Sequence, residues 1–268
     1  MVKLKRKISR KVKGFVLTVD VGNTYIHLAV CRGQKVVSRQ SVATVQKMVE
    51  QKTELNKALA VLRQRYVRFD CVVICSVVPS VTKILEPMVF KNLQIKAMIV
   101  GRDVIVPIKN LYYNPRQVGQ DRLVCAYAAS ELYGNPAIII DLGTAITLDV
   151  VSQQREYLGG IIVPGIRITA ETLFERTALL PLVDIHKPQH LIGKDTQGSI
   201  LSGIFYGYGE MLKGLIKLLS SDFKNKPQVI VTGGHVKLMN EYIKDSIDVV
   251  DSDLVLKGLV LLGQRKLD

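Results

Sequence analysis

One arrangement occurs twice in this 268-residue chain and limits what the chain can fold into. Residues 16–30 read VLTVDVGNTYIHLAV, and residues 137–151 read AIIIDLGTAITLDVV. Each is an apolar run, an Asp, a Gly, a hydroxyl-bearing turn and a second apolar run. Asp141 and Gly143 each stand 121 positions after Asp20 and Gly22. Aliphatic and β-branched runs broken by a Gly-containing turn predict a β-hairpin at both places. An Asp closing a buried strand is costly unless it is paired, solvated or bound to a cation, so Asp20 and Asp141 call for a use.

The segments around the hairpins repeat too. Strands are expected at 15–20 and 25–31, with a third at Lys35–Gln40. Val45–Tyr66 lacks Gly and Pro and carries Met48, Leu55, Leu59 and Leu62, which predicts a helix. CVVICSVV (71–78) suits a strand buried on both faces. Gln94–Val100 and Val104–Ile108 read as short strands, and Asp121–Tyr133, followed by Gly134, as a helix. After the second hairpin come a strand near Tyr157–Val163, helices near Thr169–Leu179 and Ser199–Leu219, and a strand at Val229–Thr232 ending in Gly233-Gly234. The expectation is a duplicated α/β fold with a cleft between its halves. Its parts are a basic tail (1–14), an N-terminal domain (15–134) and a C-terminal domain (135–268), with a final helix able to pack across the boundary.

Composition removes several function classes. With 48% hydrophobic and 22% charged residues the chain is core-rich, not disordered. No apolar run approaches the roughly 18–20 residues of a membrane span. The apolar run Phe15–Val19 stops at Asp20, too short for a secretory signal, so a cytoplasmic location without membrane attachment is expected. Cys31, Cys71, Cys75 and Cys125 lack C-x-x-C spacing and read as buried thiols. Pro188 between His186 and His190 disfavours the helix that would align them on zinc. The net charge is +14, and the first fourteen residues hold seven Lys or Arg and no acid. That tail is either a solvated segment or a polyanion contact, the one route by which nucleic acid would bind.

The turns carry chemistry. Gly22 and Gly143 let backbone N–H groups approach a ligand, Asn23, Thr24 and Thr144 add neutral polar groups, and Asp20 and Asp141 can hold cations. Donors beside a cation-holding acid suit a polyphosphate, and the chain has neither a G-x-x-x-x-G-K-[ST] nor a G-x-G-x-x-G element to do that work. A third constellation is YYNPRQVGQDRLV, 112–124. Two readings of it stand side by side. In one, Asp121 caps a helix and Arg122 faces water. In the other, Asp121 is the base orienting a substrate hydroxyl and Arg122 holds a substrate anion or carbonyl.

In chain order, DVGNT, Y-x-N-P-x-x-V-G-x-D-R, DLGTAITLD, YLGGIIVPGI, LFERTALLP, SGIFYGY and a late TGG resemble the type III pantothenate kinases, from about Phe15 to the C-terminus. The resemblance implies the actin, hexokinase and Hsp70-like ATPase fold, two RNase-H-like domains around a nucleotide cleft. It implies ATP-dependent phosphorylation of pantothenate to 4′-phosphopantothenate, the first step of coenzyme A synthesis. Asp20, Val21, Gly22, Asn23, Thr24, Tyr25, Ile26 and His27 would cradle the ATP phosphates, with Thr144 contributing from the second domain. Asp121 would be the general base. Tyr112, Gly119, Gln120, Asp121 and Arg122 would line the pantothenate site, joined by Thr196. Asp141 would bind a monovalent cation, K⁺ or NH₄⁺, and Asp20 the Mg²⁺ carried by ATP. A homodimer with its substrate pocket near the subunit interface is implied as well.

His27 departs from the family, many of whose members carry Lys there, and the tail before Phe15 is outside the family pattern. Two other readings compete: a kinase of the same superfold acting on another small alcohol, and a nucleic-acid-associated protein that has kept the fold. The Y-x-N-P block argues against the first. The joint presence of Asp20, Asp121, Arg122 and Asp141 argues against the second.

Overall fold

The computed structural model describes residues 14–267. The expected basic tail, apart from Gly14, lies outside the described residues. Phe15–Val21 (β1) and Tyr25–Arg32 (β2) form the first hairpin, with Asp20 opposite His27, and Lys35–Ala43 (β3) extends it antiparallel. Met48–Arg65 (α1) buries Gln51, Leu55, Ala58, Leu59 and Leu62, one stripe at helical spacing. Gln51 accepts from Val45 N and donates to Ala43 O, tying the helix to the end of β3. Phe69–Ser76 (β4), Pro79–Leu93 (α2) and Ala97–Ile99 (β5) complete a sheet ordered β3-β2-β1-β4-β5.

The second sheet draws on Lys109–Asn110 (β6), then, after Gln120–Leu132 (α3), on Ala137–Leu142 (β7), Ala145–Val151 (β8) and Glu156–Pro164 (β9). Ile166–Arg176 (α4) and Thr196–Ser221 (α5) precede Gln228–Thr232 (β10), Val236–Ile243 (α6), Val249–Val250 (β11) and Leu254–Leu267 (α7). The order is β11-β10-β7-β8-β9-β6. Without β6, the run β9-β8-β7-β10-β11 repeats β3-β2-β1-β4-β5 in order and in strand direction. The duplication read from two hairpins therefore extends to both sheets.

Strand alternation decides where the acids go. In the first sheet Leu17, Val19, Leu28 and Ile74 pack one face against Leu55 and Leu59 of α1 and Leu85 of α2. In the second, Ile138, Ile140 and Leu148 pack against Ile166 of α4, Phe205 of α5 and Met239 of α6. Each such side chain, fully buried, contributes about 1.5–3 kcal/mol. Asp20 and Asp141 sit one residue out of phase with these rows and so fall on the opposite faces.

By packing, the chain divides into two units. One takes the chain through Pro107, Gly119–Val124 and everything from Val255 onward, and the other takes Ile108–Val118 and Cys125–Leu254. The packing crosses the expected limit at 134/135 in both directions. β6 joins the second unit because it pairs with β9. α7 joins the first because Gly263 lets it lie on β4 and β1: a Cβ there would stand 2.9 Å from Cys71 Sγ and from Val73.

Two local expectations differ from the structure. Val104–Ile108 is not a strand. Val104 makes a single bridge to Val100, Asp103 accepts from Ile99 N at 2.9 Å to close a turn, and Pro107 has no N–H for a ladder. The helix α2 is absent from the sequence reading, in which Pro79-Ser80 merely ends a strand. Proline is well suited to the first turn of a helix, where its missing N–H is not needed.

Candidate active site

In the first unit Asp20 is the last residue but one of β1, its antiparallel neighbour is His27 and its parallel neighbour on β4 is Cys75. Cys75 is fully buried. Burial first, then the charges of Asp20 and Asp121, push its thiol well above the usual range, so it stays protonated. One buried sulfur thus feels the charge of both acids, although 101 positions separate them in the chain.

Asp121 lies in the first turn of α3, and its Oδ1 accepts the Arg122 backbone N–H at 2.9 Å. A Cβ on Gly119 would overlap Asp121 Oδ1, so the carboxylate occupies the space that a side chain at 119 would fill. Burial pushes the Asp121 carboxyl above the ordinary carboxylate range, against the opposing pull of the Arg122 N–H and guanidinium. Burial and a raised pKa are features shared by many general bases. Gln120 lays its side chain along Gly101, where a Cβ would come within 2.9 Å of it.

The first turn is held from β3. Gly22 N donates to Tyr25 O at 3.0 Å, Thr44 N donates to Thr24 O at 2.9 Å, and Thr44 Oγ1 donates to Gly22 O at 2.8 Å. Asn23 and Tyr25 remain exposed. His27 Nδ1 lies 2.8 Å from Ser41 Oγ, and its ring is 6.1 Å from that of Tyr25. Burial and then the charge of Arg39 push the imidazole below its usual range, so it is neutral at pH 7.

In the second unit Asp141 is the last residue but one of β7, opposite Thr147 and beside Thr232 of β10. Two glycines frame its carboxylate. A Cβ on Gly143 would stand 3.2 Å from Asp141 Oδ1, and one on Gly233 would overlap that oxygen and lie 2.6 Å from Leu142 N. Gly233 also has φ +102°, a conformation that favours glycine. Gly165, just before α4, has no room for a Cβ against the Thr144 and Gly143 carbonyls, so the start of α4 rests on the second turn. His235 N donates to Leu142 O at 3.0 Å. Burial pushes the His235 imidazole below its usual range, helped by the charge of Arg167 and opposed by the nearby Leu142 and Gly143 backbone.

Gly119, Gln120, Asp121 and Arg122 therefore stand in the same unit as the Asp20–His27 hairpin, while Tyr112, Asp141, Thr144 and Thr196 belong to the other. Thr196 is the exposed first residue of α5, whose cap is Asp195, accepting from Gly198 N at 2.6 Å. Several contributors carried no role in the sequence reading: His235 and Gly165 around the second turn, and Asn110 and Gly159 around Tyr112. YLGGIIVPGI contains both Gly159 and Gly165, so a signal existed, but which segments these glycines meet is not written in the motif.

Comparison with known proteins agrees with this geometry. The family model for type III pantothenate kinase matches residues 16–218. A type III pantothenate kinase of Halalkalibacterium halodurans is 40% identical over 256 residues, covering 93% of this chain and 99% of its own. Among solved structures, a Campylobacter jejuni protein assigned to the Baf family of transcriptional activators has TM-score 0.58 at 18% identity, covering 94% of this chain and 98% of its own. A ROK family glucokinase of Streptomyces griseus, in complex with glucose and AMPPNP, has TM-score 0.57 at 15% identity, covering 94% of this chain and 100% of its own. At such identities these two likenesses concern the fold, the duplicated one of actin-like sugar kinases. The chain belongs to the type III pantothenate kinases, which transfer a phosphoryl group from ATP to pantothenate in coenzyme A biosynthesis.

Proposed function

We propose that in this chain Asp121 is the general base toward the primary hydroxyl of pantothenate, and that the two hairpin turns share the ATP phosphates. The supporting observation is that Asp121 opens α3 in the same unit as the Asp20–His27 hairpin, its carboxylate filling the space beside Gly119 and raised in pKa by burial. Phosphoryl transfer asks a protein mainly for alignment and countercharge, and the divalent ion that accompanies ATP supplies much of that countercharge. Asp121 accepts the hydrogen bond of the attacking hydroxyl and aims it. Arg122 is assigned the substrate's anionic or carbonyl end, and Gly119, Gln120, Tyr112 and Thr196 are assigned contacts with pantothenate. Backbone N–H groups around Gly22, with Asn23, Thr24 and Thr144, hold phosphate oxygens. A neutral His27 donates one hydrogen bond there instead of a full charge.

The residues fit the cations this scheme needs. Asp141 is a carboxylate set against Gly143 and Gly233, and we assign it to a hard monovalent ion, K⁺ or NH₄⁺, completed by carbonyl or water oxygens. Asp20 is assigned to the Mg²⁺ of ATP. Leu158, Ile162, Phe174, Leu179, Leu182 and Leu191 of the second unit are exposed, which supports a homodimer that covers them. Among the described residues no helix is long and apolar enough to cross a membrane, and cytoplasmic coenzyme A synthesis is the proposed setting.

The test is ADP release from MgATP with and without pantothenate, in potassium and in sodium buffer, beside Asp121→Asn. Release that requires pantothenate and potassium and collapses in the variant supports substrate, cation and base together. Absence of pantothenate stimulation in either salt would overturn the assignment. Sedimentation at twice the 29.8 kDa chain mass checks the dimer.

A further inference from the structure

We propose that Asn110 is a positioning residue for Tyr112, and that the second unit holds this tyrosine on a rigid platform to select the substrate. The inference rests on the placement of Tyr112 in the pantothenate site. β6 has only two residues, too few to hold a loop by ladder bonds alone. Asn110 supplies what the strand lacks. Its Oδ1 accepts the Tyr112 N–H at 2.9 Å, and its Nδ2 donates to Pro115 O at 3.3 Å, so one side chain closes both ends of the turn that carries Tyr112.

The partner of that strand is itself fixed. Asn110 pairs with Tyr157, whose carbonyl accepts Leu111 N–H at 2.9 Å. Tyr157 is fully buried, its hydroxyl donates to Asp149 Oδ1 at 2.7 Å, and Thr147 Oγ1 donates to the other carboxylate oxygen at 3.1 Å. Immediately beyond, β9 shifts register: Val151 faces Tyr157 and Val150 faces Gly159, leaving Leu158 as a bulge. Bulges of this kind re-aim neighbouring groups, and here Gly159 takes φ +127°. Two ring carbons of Tyr112 lie 3.5 Å from where a Gly159 Cβ would stand, so the ring covers bare backbone. Tyr113, one residue on, is fully exposed, which shows that this anchoring is particular to Tyr112. A tyrosine fixed in this way offers an apolar face and one hydroxyl at a defined place. That suits a compact, methyl-bearing hydroxy-amide such as pantothenate.

The experiment is steady-state kinetics on the full chain with Asn110→Ala, Asn110→Asp, Tyr112→Ala and the Asn110→Ala/Tyr112→Ala double variant. Loss of both side-chain hydrogen bonds should raise KM for pantothenate about fivefold in Asn110→Ala, with kcat and the KM for ATP within about twofold. Asn110→Asp keeps the acceptor for Tyr112 N–H but loses the donor to Pro115 O, and should recover part of the loss. In the double variant Asn110→Ala should add nothing to Tyr112→Ala. An unchanged pantothenate KM, additivity in the double variant, or failure of Asn110→Asp to rescue would each overturn the proposal.

A readout independent of substrate uses the absence of tryptophan from the chain. Tyr112→Trp introduces a single emitter, and adding Asn110→Ala should red-shift its emission and lower its anisotropy without any ligand. No change there would overturn the positioning role. A response in a protein that ignores pantothenate would uphold it while removing Tyr112 from the pantothenate site.

Discussion

The two sheets share strand order and direction, yet their leading acids have different neighbours. Asp20 is paired with Cys75, a thiol that also feels the charge of Asp121. Asp141 is paired with Thr232, and the backbone of two glycines stands against its carboxylate. The first acid thus shares its surroundings with a buried thiol and a second carboxylate, and the other with glycine backbone. Duplication supplies the same backbone twice. The residues that cross the ends of the strands from elsewhere decide what each copy does.

The comparison breaks most visibly at Asp121. Asp121→Asn should lower kcat about 10²–10⁴-fold with the KM for ATP nearly unchanged. Equal losses from Asp121→Asn and Asp20→Asn, in kcat and ATP KM alike, would erase the distinction between base and phosphate turn. The same variant tests the electrostatics. A carboxyl whose folded-state pKa is raised favours folding while protonated, and that contribution is lost as pH rises through the raised value. Asp121→Asn should therefore raise the Tm at pH 7 while abolishing turnover. The wild-type rate should fall on acidification at a pH above the ordinary carboxylate range, since the base must be ionised.

Next in size are the turn glycines. Gly233→Ala forces an L-residue to φ +102° and drives a Cβ into Asp141 Oδ1 and the Leu142 backbone, costing about 2–4 kcal/mol in urea unfolding. Gly22→Ala meets only Tyr25 O at 3.2 Å and should cost about 1 kcal/mol or less, with its main effect on the KM for ATP. Similar costs at both sites would show that the glycine frame around Asp141 has no special tightness.

The smallest effect is expected at His27. Its imidazole is neutral at pH 7, so His27→Lys adds a charge beside the first turn. The KM for ATP should fall about two- to fivefold at low ionic strength, and the gain should shrink with added salt. A salt-independent change would place position 27 away from the phosphates.

Much of this was legible in the chain itself. Periodicity and turn chemistry are local, so both hairpins, the helix after Gln120 and the glycine before each turn could be read within one or two residues. The acids stood out because a charge closing an apolar run needs a partner. Other features depended on distant segments. Pro79-Ser80 reads as the end of a strand but opens α2, and only the packing of Val81, Leu85 and Val89 on the first sheet shows the helix. The apolar run at 104–108 looks like a strand, but the Asp103 turn and Pro107 deny it a ladder.

Asn110 has no sequence signal because a two-residue strand has no period. Its meaning comes from Tyr157, 47 positions away. Sequence alone determined the repeated hairpins, their acids and the family. Tertiary structure decided that Gly119–Val124, with Asp121, belongs to the unit of the first hairpin, that α7 returns to that unit, and that Tyr112 lies on Gly159. Those outcomes depend on which buried faces fit together across long separations, and no local pattern records that fit.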